Sequence, residues 1–156
     1  LVIVACGKKK RTLDTALPSC TLPAGFGAMK CVAPGILAVS GPSWQSENHN
    51  SEVSDAKQLA AAFQNEVGFP LIVLCDDAEF VSATFENFLW VTFTRSNPSH
   101  DVHGIGEFTS NKHFGATRGI LIDARRKPHH APALDVDPSI KALASEILDR
   151  ALQQSR

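Results

Sequence analysis

Five consecutive apolar residues, Leu71 to Cys75 (LIVLC), stand between the breakers Gly68 and Pro70 on one side and the paired acids Asp76 and Asp77 on the other. A run this short, unbroken and centred on the β-branched pair Ile72 and Val73 fits a strand buried on both faces, as in a parallel sheet. A strand of that kind needs helices above and below it, so the rest of the chain has to supply two covering layers.

The flanking sequence supplies them. Val53, Ala56, Leu59, Ala60, Phe63 and Val67 recur at three- and four-residue steps, which predicts a helix with one apolar face, closed by Gly68 as a carboxy-terminal cap. Across residues 83–94 the apolar side chains Phe85, Phe88, Leu89, Trp90, Val91 and Phe93 wrap most of the way around, so this helix is expected to be buried, with Trp90 and the phenylalanines in the core. Pro98 stops it near Arg95. Residues 1–5 (LVIVA), 36–39 and 119–124 read as further strands, residues 12–35 as an irregular excursion, 102–118 as a loop and 128–138 as a Pro-rich linker. Asp137 and Pro138 then open a last helix whose stripe of Ile140, Leu143, Ala144, Ile147, Leu148, Ala151 and Leu152 must be buried on something, either its own sheet or a neighbouring domain or subunit. Alternating strands and helices predict an α/β domain of three layers with a mostly parallel central sheet.

The 156 residues fit one domain, and a hydrophobic content of 44% can build its core. Fifteen basic residues against sixteen acidic ones leave no electrostatic bias toward nucleic acid or an anionic membrane. Cys6, Cys20, Cys31 and Cys75 lack C-x-x-C spacing, so free thiols are expected. With no apolar run of roughly 20 residues and no signal segment, the expectation is a cytoplasmic protein without a membrane span. The chain starts without Met inside a strand-like run, which suggests the downstream part of a longer polypeptide.

Candidate site residues gather where strands end. Asp76 and Asp77 follow a strand at the carboxyl end, where α/β sheets place their crevices, although capping or turn formation is the stronger reading for them. Arg95 can pair with Asp76, Asp77 or Asp101, or meet a ligand directly. Lys127 follows a strand end and is a candidate for contact with an anionic ligand, against a solvated surface role. Lys8 and Lys9 could meet a phosphate as point charges, but no glycine-rich cradle accompanies them. The spacing of His100, His103, His113, His129 and His130 matches no common metal site.

From Cys75 onward the order is two acids after a strand, Trp90 within a helix, Thr94 and Arg95 at its end, then Pro98 and Asp101. This resembles the carboxy-terminal domain of the UbiD family of decarboxylases, with its W-x-x-x-T-R and P-x-x-D pattern. Asp123, Ala124 and Lys127 resemble that domain's D-A-T-x-K segment, with Arg125 where Thr is usual. The resemblance covers roughly residues 53–150. It implies a parent enzyme that uses prenylated flavin mononucleotide and a divalent metal ion to decarboxylate an aromatic or unsaturated acid. It further implies that the catalytic Glu-Arg-Glu set lies in an upstream flavin-binding barrel domain. This chain would then wall off the cleft, aid homo-oligomer contacts and have no catalytic residue of its own. The alternative is a stand-alone α/β module that binds a small phosphorylated ligand near Lys8 and Asp76.

Overall fold

A computed structural model of the chain describes residues 7–8, 11–46, 54–130 and 137–154. The strand expected at residues 1–5, Lys9, and residues 131–136 of the Pro-rich linker lie outside the described residues.

Nine elements follow one another among the described residues: β1 (Met29–Ala33), β2 (Ile36–Ser40), α1 (Asp55–Ala62), β3 (Leu71–Cys75), α2 (Ala78–Ala83), α3 (Phe85–Arg95), β4 (Val102–Ser110), β5 (His113–Asp123) and α4 (Pro138–Gln154). The five strands form one sheet in the order β1-β2-β3-β5-β4. β3 pairs in parallel with both β2 and β5, while the two edge strands are antiparallel to their neighbours. The sheet is therefore mixed, and "mostly parallel" holds only for its centre. Each edge pair is a hairpin, the connection an antiparallel pair permits, whereas the parallel pairs need crossovers.

Two cores sandwich the sheet. Leu37, Val39, Ile72 and Leu74 point to one face and meet Ala56, Leu59 and Phe63 from the α1 segment. Ala38, Val73 and Cys75 point to the other and meet Ala78, Val81, Phe88 and Val91 from α2 and α3. Strand periodicity of two accounts for this division: consecutive residues of β2 and β3 serve opposite helical layers.

Several local expectations change. The excursion at residues 12–35 ends in β1, because Pro34 and Gly35 (φ +81°) make the tight turn of a β1–β2 hairpin. α1 ends at Ala62 with Phe63 as its cap, five residues before Gly68. Gly68 instead meets residue 14, whose backbone N–H donates to the Gly68 carbonyl at 3.1 Å. The helix expected at residues 83–94 is α3, which runs from Phe85 to Arg95; a short helix that the sequence reading did not expect, α2, precedes it, and Thr84 separates the two, its extended backbone and side-chain oxygen capping α3 through the Asn87 N–H. The expected loop at residues 102–118 is a long hairpin, β4–β5, turning at Asn111 and Lys112, both with positive φ.

The buried-helix expectation for residues 83–94 also fails. Only Phe88, Val91 and Thr92 of α3 are buried, whereas Phe85, Leu89, Trp90 and Phe93 are exposed, Trp90 by 53% and Phe93 by 66%. α4 goes further: its described side chains are exposed throughout, including Ile140, Leu143, Ile147, Leu148 and Leu152. Among the described residues no helix is long and apolar enough to cross a membrane.

Candidate functional site at the strand ends

The carboxyl ends of β3 and β5 and the amino end of α1 converge on a cluster of charged side chains. Arg125, two residues past β5, is its centre and is almost wholly buried. Its guanidinium donates through Nε to Asp123 Oδ1 at 3.0 Å and through Nη2 to Asp123 Oδ2 at 2.7 Å. Nη1 donates to Asp55 Oδ2 at 2.7 Å and to the Pro42 carbonyl at 2.9 Å. A planar fork with several donors suits this task, since one residue ties together β5, the first turn of α1 and the loop after β2. Burial opposes ionisation of Asp123, yet the hydrogen bonds and charge of Arg125, with the charge of Lys127, hold its carboxyl below the usual carboxylate range. Burial works against the Arg125 charge as well, and Asp123 and Asp55 outweigh it, so its pKa is raised.

Lys127 is buried too, with 4% exposure. Its Nζ lies 3.2 Å from Asp101 Oδ2 and donates to the carbonyls of Asp123 at 2.9 Å and Arg95 at 3.2 Å. Lys127 thus lies beside Asp101 of the same chain and is not an ordinary solvated lysine. Asp101 Oδ2 accepts the Asn97 N–H at 2.6 Å, so the turn after α3 is built around the same carboxylate.

Arg95 pairs with Asp76: Nη1 lies 3.1 Å from Oδ2, and the same oxygen accepts the Arg126 N–H at 2.9 Å. The Arg95 guanidinium also lies over the Trp90 ring, 5.2 Å from its centroid. Thr94 Oγ1 donates to the Trp90 carbonyl at 2.5 Å. Asp77 caps α2 by accepting the Phe80 N–H at 3.0 Å. Lys8 is exposed.

The residues singled out from sequence therefore do converge, with Asp76, Arg95, Asp101, Asp123 and Lys127 in one linked region. The two that sequence reasoning misses are Asp55 and Arg125. Arg125 carries a signal, since a basic residue between Ala124 and a second Arg, straight after a buried strand, needs an acid within reach. Asp55 carries none beyond its place in the first turn of a helix.

Chemically, this cluster fixes geometry. Its cations are directed at carboxylates and carbonyls of the same chain, and among the described residues no group of three or more His, Cys, Asp or Glu is placed to hold a metal ion. The Cys75 thiol is buried in β3 and donates to the Val39 carbonyl at 3.5 Å. Burial and the neighbouring Asp76 push its pKa up to about 12, which removes it as a nucleophile. A separate shallow cavity of about 210 Å³ lies between α1 and β4, with Lys57, Gln64, His103 and Glu107 in its lining.

No family model matches the chain. It is 36% identical over 83 residues to a 4-hydroxybenzoate decarboxylase subunit of Chlamydia pneumoniae, a match covering 50% of this chain and 13% of that protein. This chain is UbiD-like. An uncharacterized protein of Chlamydia trachomatis is 30% identical to the UbiD-like chain over 78 residues, 49% of this chain and 13% of that protein. The matched part thus spans about an eighth of the length of these relatives. Among solved structures, the vanillic acid decarboxylase of Sedimentibacter hydroxybenzoicus in its open form is 20% identical, with a TM-score of 0.47, over 76% of this chain and 26% of that one. An evolved dimeric form of the UbiD-class enzyme HmfF from Pelotomaculum thermopropionicum, in complex with prFMN, is 20% identical, with a TM-score of 0.41, over 68% of this chain and 21% of that one.

Proposed function

We propose that the chain is the carboxy-terminal domain of a UbiD-like decarboxylase, acting on an aromatic or unsaturated carboxylic acid only as part of that larger enzyme. The observation that carries this reading is the 36% identity to a 4-hydroxybenzoate decarboxylase subunit over 83 residues. The strand-end cluster supports the non-catalytic part of it, because Arg125 and Lys127 hold backbone and carboxylates of their own domain. In this reading the Glu-Arg-Glu set, prenylated flavin mononucleotide and a divalent metal belong to an upstream barrel domain. In this reading no step of the reaction is assigned to the described residues of this domain. The domain's work is mechanical: a rigid wall over the barrel's cleft that excludes water and carries oligomer contacts.

The test is reconstitution. The purified chain, supplied with prenylated flavin mononucleotide and a divalent metal, is expected to release no carbon dioxide from a panel of aromatic and unsaturated acids. Adding a UbiD-type barrel protein that lacks its own carboxy-terminal domain is expected to produce or raise turnover. Decarboxylation by the chain alone, or no effect on the barrel, would overturn the reading.

A further inference from the structure

After β5 the chain turns back on itself beside Lys127. The His130 N–H donates to the Lys127 carbonyl at 3.0 Å, and the Lys127 N–H donates to His130 Nδ1 at 3.1 Å, so the two residues hold each other by a reciprocal pair of hydrogen bonds. A backbone amide can only donate, so Nδ1 is a bare acceptor and the ring proton sits on Nε2. A proton added at Nδ1 would set two N–H groups against each other and break the second bond. The surroundings bear on the same atom. Lys127 and Arg95 bring positive charge, the His129 ring stands edge-on at 4.6 Å between centroids, and Asp101 is the counter-charge, already 3.2 Å from Lys127 Nζ. Burial, followed by His129, Lys127 and Arg95, lowers the His130 pKa from its ordinary value, with Asp101 working the other way.

We infer that His130 is a proton-sensitive latch: neutral, it fastens the turn at residues 128–130 to Lys127 at the strand ends, and protonated on Nδ1 it lets that turn go. Two features make this more than a surface turn. It is tied through the main chain of the residue whose side chain is buried against Asp101 and the carbonyls of Asp123 and Arg95, so one end of the turn is anchored on the closed cluster. It also lies between β5 and α4 in the chain, so its state sets how the chain running on toward the last helix leaves the sheet. With the folded pKa of His130 below the unfolded value of about 6.5, the turn's contribution is fully present above about pH 6.5 and is lost as pH falls through the folded value. Histidine is the side chain suited to a change in this interval.

The experiment is NMR on the whole 156-residue chain, isotope-labelled, titrated from about pH 7.5 to about pH 5. The ring nitrogens of His130 report its tautomer and titration, and hydrogen exchange at the Lys127 amide reports the turn. The ring proton is expected on Nε2 at neutral pH, with His130 titrating below about 6.5. The protection of the Lys127 amide is expected to fall roughly fivefold to tenfold through that titration, the loss of one net hydrogen bond. His130→Asn places an amide oxygen where Nδ1 stands and cannot titrate, so the Lys127 amide should stay protected throughout. His130→Ala should leave that amide unprotected at every pH, and His129→Gln should keep the step, moved to higher pH because a neighbouring charge is gone. A proton on Nδ1 at neutral pH, a His130 titration at or above about 6.5, or a Lys127 amide that ignores the titration overturns the inference. So does a pH step or a loss of protection in His130→Asn, protection that persists in His130→Ala, or a step that vanishes in His129→Gln. Both readouts are spectroscopic, so failure here leaves the decarboxylase reading to its own reconstitution test.

Discussion

The strand-end cluster and the α3–α4 surfaces use side chains in opposite ways. At the strand ends, Arg125 and Lys127 are buried cations whose partners lie within the same chain, so that region is complete by itself. Along α3 and α4, large apolar side chains that would ordinarily be core are left in solvent. The first region behaves as the interior of a domain, and the second keeps apolar area at the surface. Charge buried and matched is a matter of internal geometry, whereas apolar area exposed in ridges is a matter of what lies outside.

Breaking the buried cluster should give the largest effect. Arg125→Ala leaves Asp123 ionised, buried and unpaired, and removes the link to Asp55, so a loss of about 3–5 kcal/mol in urea unfolding is expected. Lys127→Met keeps the volume but strands Asp101, with an expected loss of about 3 kcal/mol by the same measurement. A loss under about 1 kcal/mol in both variants would show the cluster to be less closed than its geometry implies.

The pH dependence sharpens the same point. The folded carboxyl of Asp123 is depressed relative to its unfolded value, so its contribution is fully present above the unfolded pKa and is lost as pH falls through the folded one. With an unfolded value of about 3.9, the stability gap between wild type and Asp123→Asn should stay constant from about pH 7 to about 5 and narrow steadily below about 4. Urea midpoints taken across that interval test this, and a gap independent of pH down to about 2.5 would contradict it.

The exposed pair should matter least among the charges. Arg95→Ala removes a partly solvated contact to Asp76 and the stacking on Trp90, for an expected cost of about 1 kcal/mol or less, reduced further by salt. At the bottom of the scale, Phe93→Ser should change stability by no more than about 0.5 kcal/mol, despite deleting an aromatic ring. A cost of several kcal/mol there would place Phe93 in the monomer's own core and erase the contrast between the two regions.

Across these regions, what the sequence discloses is uneven for physical reasons. β3 is legible to the residue, because an unbroken apolar run between breakers has few other outcomes. The β4–β5 hairpin is hidden: Gly104, Gly106 and Gly115 dilute its alternation, and the turn uses Asn111 and Lys112 in left-handed conformations in place of an Asn-Gly pair. Gly106 itself has φ +65° and lies where the β4–β5 register shifts, a bulge that breaks the two-residue period. Trp90 reads as core because composition alone cannot separate a helix buried all round from one that keeps a second apolar face outward. The charged residues stand out in the sequence, but their roles are set by neighbours far away along the chain: Arg125 reaches Asp55 across 70 positions, and no local pattern announces that.

The strand order carries a consequence for how the chain is made. β5 is the last of these strands to be synthesised, yet it takes the place beside β3, between that strand and β4. During translation β3 therefore waits with one edge unpaired while some forty further residues emerge, and Leu71 to Cys75 is the most apolar segment that could pair wrongly in that interval. The acids at positions 76 and 77, which end the strand in the finished fold, also act as gatekeepers for the nascent one, placing charge beside the segment most prone to aggregate.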